Sequence, residues 1–186
     1  MALAYTDISF ELREISLKNR PKELYRVSKK GTVPVLITSD NLVIDESLEI
    51  MLWALESHSK QQWLKDNYNQ DLNIINNNDT ELKKWLDRYK YHDRYPEHSR
   101  KYYRGECCNI LDVYENKLSN TKYILKNSIS FVDIAVFPFI RQFAYVDYDW
   151  FSDYYNNLPS WLEKISSSDL FIQVMKKNEL WDEIEI

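Results

Sequence analysis

The sequence predicts an α/β domain over residues 1–58 followed by an all-α domain over residues 66–186, with the boundary falling between 58 and 65. Three observations carry this reading. Ser9-Phe10-Glu11-Leu12-Arg13-Glu14-Ile15 alternates apolar and polar residues with period two, as a half-buried strand does. Val33–Ile37 and Leu42–Ile44 flank the polar turn Thr38-Ser39-Asp40-Asn41, which is a β-hairpin pattern. Beyond the boundary, the apolar residues of each successive stretch fall at helical spacing.

Taken in order, Pro21 opens a short helix to Ser28, since the first helical position needs no N–H. After the hairpin, Leu48, Met51, Leu52 and Leu55 predict a helix of about three turns. The polar, Asn-rich stretch Asn67–Asn78 is expected to end as a loop and to be the mobile segment of the chain. Thr80 is expected to cap a helix bearing Leu82, Trp85, Leu86 and Tyr89, and a long helix follows Pro96 through Tyr103, Cys107, Leu111, Tyr114 and Leu118. Ser130-Phe131-Val132-Asp133 is a capping-box pattern at the head of the apolar run Ile134–Ile140, a buried helix expected to kink at Pro138. Pro159 and Ser168 open the last two helices.

Composition narrows the function. Lys and Arg total 24 against 29 Asp and Glu (24 − 29 = −5), and no stretch is strongly basic, which argues against a nucleic-acid partner. Two glycines in 186 residues leave no Gly-rich phosphate loop. Ile134–Ile140 falls far short of the ~20 apolar residues that cross a bilayer, so no membrane span is expected. MALAYTDISFELRE shows no secretory pattern, so the cytoplasm is the expected compartment. Cys107 and Cys108 are adjacent in a helical pattern, suited to packing rather than to a disulfide framework. His92 and His98 lack partners at metal-ligand spacing, so no metal is expected.

Two local features point to a binding site. Pro34 removes a donor from a strand and fits either an edge strand or a cis Val33–Pro34 bond that frees the Val33 backbone to pair with an extended peptide. Glu46-Ser47 opens a helix directly after the hairpin, where free amides and the helix dipole favour an anion such as an α-carboxylate, while Glu46 suits an α-ammonium.

Lys30-Gly31-Thr32-Val33-Pro34-Val35-Leu36, Ile44-Asp45-Glu46-Ser47-Leu48-Glu49-Ile50 and Ser130-Phe131-Val132-Asp133-Ile134-Ala135-Val136-Phe137-Pro138 together resemble the cytosolic glutathione transferase family over nearly the whole chain. Lys18-Asn19-Arg20-Pro21 most resembles its omega-like and bacterial cysteine-type branches. The resemblance implies a thioredoxin-like N-terminal domain and an all-helical C-terminal domain. It implies that glutathione is held as a substrate by Arg20, Val33, Pro34, Glu46 and Ser47. Ser130 and Asp133 correspond to the family's folding cap. Tyr89, Tyr95 and Tyr102 suit interhelix packing first; the resemblance, which sets this region facing the glutathione site, makes a pocket for a small electrophilic or disulfide co-substrate the alternative. A homodimer is the family's usual assembly.

The family's catalytic Cys, Ser or Tyr lies on a strand and turn before its first helix, and Met1–Tyr5 resembles the latter half of that helix. The resemblance therefore implies a nucleophile-bearing segment upstream of Met1, an N-terminally shortened domain, and a Ser9–Ile15 strand without its central neighbour. No catalytic residue is assigned within the chain. Thiol conjugation or exchange is the leading expectation, and a non-catalytic interaction protein on the same scaffold is the alternative.

Overall fold

The computed structural model describes residues 1–57, 62–64 and 68–181, so part of the expected boundary at 58–65 lies outside the described residues. The chain forms two compact units, one of Met1–Gln61 with Ile172–Ile186 and one of Gln62–Phe171. The tail from Ile172 onward thus groups with the first unit, not with the helical domain to which the range 66–186 assigns it.

In the first unit, α1 (Ala2–Tyr5) packs on α3 (Ser47–Glu56), where Ala54 and Leu55 are fully buried. Between them come α2 (Lys22–Val27), entered through Pro21 and left through Ser28, and a hairpin of β1 (Leu36–Ile37) and β2 (Val43–Ile44). The strands pair antiparallel, Leu36 opposite Ile44 and Ile37 opposite Val43. The turn closes with Thr38 N–H donating to Leu42 C=O at 2.9 Å and Asn41 at φ 66°. The hairpin is shorter than its apolar pattern, because Pro34 has no N–H and residues 32–35 stay outside the ladder.

Ser9–Ile15 is corrected by the structure: the stretch is not a ladder strand. Among the described residues its only bridge is a parallel one, Glu14 opposite Leu180, with Trp181 N–H donating to Glu14 C=O at 2.7 Å. Period-two alternation supplies the side chains of a strand, but a strand also needs a neighbour for its backbone groups. Without one along its length, Phe10 and Leu12 stand 45% and 56% exposed instead of half-buried.

The second unit is helical: α4 (Tyr68–Asn77), α5 (Lys83–Lys90), α6 (Arg100–Leu118), α7 (Phe131–Ala144), α8 (Tyr148–Tyr154), α9 (Leu158–Ser166) and the start of α10 (Asp169–Val174). Helix α7 is its centre, packed by α4, α5 and α9. It buries Phe131, Val132, Ile134, Val136, Phe137, Ile140 and Phe143, an apolar surface all round as a central helix requires, with Pro138 inside it.

Two expectations fail here. The Asn-rich stretch, of which Asn67 lies outside the described residues, is helix α4 running into a π-helical turn at Asn78–Leu82 rather than a loop. Ile75 and Asn78 are buried, so core packing overrides the weak helix propensity of asparagine. Thr80 lies inside that π turn, and its hydroxyl donates to Asn76 C=O at 2.9 Å instead of capping α5. Helix α8, which no sequence pattern announced, is capped by Asp147, whose carboxylate accepts from Trp150 N–H at 3.3 Å.

Candidate functional site

The first unit gathers the residues with binding chemistry around the hairpin and the start of α3. Gly31 turns the chain into it at φ +60°, where a Cβ would lie 2.2 Å from the Tyr25 ring. The Val33–Pro34 bond that follows is cis. Val33 is 47% exposed, and among the described residues neither its N–H nor its C=O has an intramolecular hydrogen-bond partner. An extended ligand can therefore pair with it as an added strand.

On the other side of the hairpin, Glu46 holds extended backbone geometry (φ −118°, ψ 131°) as the N-cap of α3. Its side chain does not cap the helix, so the first-turn amides, beginning at Ser47, face outward with the positive end of the helix dipole. Both Glu46 and Ser47 are exposed.

Sequence reasoning missed Lys30, which is central to the electrostatics here. Its Nζ lies 2.5 Å from Glu46 Oε1 and 3.1 Å from Asp45 Oδ1. The buried Ser28 hydroxyl donates to the other Asp45 oxygen at 2.7 Å. That hydroxyl foremost, then Lys30, holds the Asp45 carboxyl below the usual carboxylate range, and Glu46 followed by Asp45 pushes the Lys30 ammonium up. Glu46 is thus already matched to a primary ammonium. The pairing spans sixteen positions in the chain, which no local motif signals.

Arg20 is exposed and lines a groove of about 420 Å³ with Ile15, Ser16, Asn19, Pro21, Lys22, Leu180 and Trp181. None of those residues is Val33, Pro34, Glu46 or Ser47. The structure brings the last four to neighbouring ends of the hairpin and sets Arg20 in a groove that the C-terminal residues help to build.

In the second unit the three tyrosines do not share one cavity wall. Tyr95 and Tyr102 both meet Tyr103 edge-on, with the Tyr95 hydroxyl donating to Asp87 at 2.6 Å and Tyr102 stacked on His98 at 4.2 Å. Tyr89 is 2% exposed, lies 5.3 Å from the Phe143 ring and floors a cavity lined by Arg100, Lys101, Arg104 and Asp147. Ser130 and Asp133 form the capping box at the head of α7: Ser130 N–H donates to Asp133 at 2.9 Å and the Ser130 hydroxyl at 2.5 Å. The other Asp133 oxygen accepts from Ile124 N–H at 2.9 Å and Trp161 Nε1 at 2.8 Å, a long-range role beyond the local motif. Burial pushes the Asp133 carboxyl up, and these donors oppose the shift. Cys107 and Cys108 are buried in α6 and burial raises both thiol pKa values, so neither is a ready thiolate.

Residues 1–57 match the model of the glutathione S-transferase N-terminal domain, and residues 77–169 match that of the C-terminal domain. Similar solved structures include the glutathione transferase URE2P6 from Phanerochaete chrysosporium, in complex with oxidized glutathione. That match has 16% identity, covers 93% of this chain and 86% of that one, and has a TM-score of 0.79. The bacterial transferase BphK, in a ternary complex, is similar at 19% identity, with 94% and 90% covered and a TM-score of 0.78. A Pseudomonas fluorescens family member with two glutathione bound follows at 16% identity, with 92% and 84% covered and a TM-score of 0.77. No curated protein sequence matches the chain.

Proposed function

This chain belongs to the glutathione S-transferase family, and we propose that its first unit binds glutathione as a substrate, for thiol transfer or conjugation to a small electrophile or disulfide. The carrying observation is the free, outward amides of α3 beside a Glu46 already matched to an ammonium. In this reading the γ-glutamyl α-carboxylate lies on the Ser47 hydroxyl and amide, and the α-ammonium takes the place of Lys30 Nζ on Glu46. The cysteinyl backbone pairs with Val33 next to Pro34, and Arg20 reaches the glycyl carboxylate from its groove, as in the omega-like branch. Neither Cys107 nor Cys108 supplies the reacting thiol, since both are buried. The bound structures of similar proteins, oxidized glutathione in one and glutathione in another, support the same ligand class. A cytoplasmic homodimer is part of the same proposal.

The test is retention on immobilised glutathione, followed by turnover with glutathione and a generic electrophile or disulfide. Glu46→Ala combined with Ser47→Ala is expected to abolish retention. Unchanged retention would refute the site. Retention without turnover would favour the non-catalytic interaction protein on this scaffold.

A further inference from the structure

The first residues of α6, Arg100, Lys101 and Arg104, set three cations at a helix start whose first turn carries no acid. The helix dipole disfavours cations at that end, so the arrangement costs stability. They line a cavity of about 240 Å³ whose remaining walls are the buried Tyr89 and the partly exposed Asp147. The formal charge of this lining is +2 (three cations and one carboxylate).

Both arginines are held by aromatic faces. The Arg100 guanidinium sits 5.3 Å from the Tyr89 ring centre, and that of Arg104 sits 4.0 Å from Trp150. Stacking occupies the face of a guanidinium and leaves its in-plane N–H groups for a planar or tetrahedral oxyanion. Arg100 spends one donor on Val146 C=O at 3.3 Å, and Arg104 donates to Asp147 at 3.5 Å and to the Tyr89 hydroxyl, which leaves each fork with further N–H groups. Asp147, whose other oxygen caps α8 through Trp150 N–H, offsets only one of the three positive charges.

We propose that this cavity of the helical unit is a binding site for a small phosphate-type oxyanion, gripped between Arg100 and Arg104 with Lys101 at its rim. The anion offsets the excess charge and the unfavourable dipole contact together, so binding stabilises the protein. The source is either free phosphate or the phosphate head of a small aryl ester.

The test titrates the whole protein with inorganic phosphate and with phenyl phosphate at constant ionic strength, following heat of binding and thermal midpoint. Saturable binding with a raised midpoint is expected. Arg100→Gln and Arg104→Gln should each weaken it at least tenfold, while Lys84→Gln, whose ammonium rests on Trp85, should leave it unchanged. Arg104→Lys keeps the charge but not the fork and should still weaken binding severalfold, which holds the test open if Arg104→Gln does not fold. Tighter binding of phenyl phosphate assigns the aryl ester, and equal or weaker binding assigns the free anion. Absence of saturable binding, or equal weakening by Lys84→Gln, would overturn the proposal.

Discussion

Asp71 shows how one buried carboxylate sets a pH dependence. It is 3% exposed, and burial, opposed by Lys126 and reinforced by Asp133, raises its pKa to about 6. A carboxyl whose pKa is higher folded than unfolded binds its proton more tightly in the native state. Folding therefore loses stability as pH climbs from about 4 to about 6, and the loss is complete above that. Asp71→Asn removes the charge at constant shape. It is expected to stabilise the protein by on the order of 2–3 kcal/mol at pH 8 and by almost nothing at pH 4, read from urea unfolding at the two pH values. Equal effects at both would contradict the assignment. Single residues were legible in the sequence where their role is local. Glu46-Ser47 immediately precedes an apolar helical pattern, and Pro34 interrupts an apparent strand. Lys30 and the second face of Asp133 were not, because their partners lie sixteen positions away for Lys30 and nine and twenty-eight positions away for Asp133.

Elements follow the same rule. The hairpin, α3, α6, α7 and α9 were readable because periodicity and caps agree there with burial. Ser9–Ile15 and α4 were misread because strand pairing and core packing are decided by neighbours distant in sequence. The start of α9 depends on such a neighbour: Glu115 of α6 accepts from the backbone N–H groups of Asn156, Asn157 and Leu158 at 2.8–2.9 Å, and from Asn157 Nδ2. One carboxylate thus satisfies the orphan donors of a helix start and complements its dipole. Glu115→Ala should cost about 1–3 kcal/mol in urea unfolding, and Glu115→Gln, which keeps an accepting oxygen, should cost less. A Glu115→Ala variant as stable as the wild type would show that these amides are served by water instead.

At the scale of the whole molecule, two family models cover the two parts of the chain that the sequence separates, one α/β and one helical. The binding chemistry proposed for the first unit rests on its γ-glutamyl end: free helix amides for the carboxylate, and a carboxylate that holds a lysine ammonium until a ligand ammonium replaces it. Calorimetric titration with glutathione and, separately, with cysteinylglycine isolates that end, because the dipeptide keeps the thiol and the glycyl carboxylate but lacks the γ-glutamyl group. The account predicts saturable glutathione binding and at least thirtyfold weaker binding of cysteinylglycine. Equal affinity for the two, or no binding of glutathione, would contradict it.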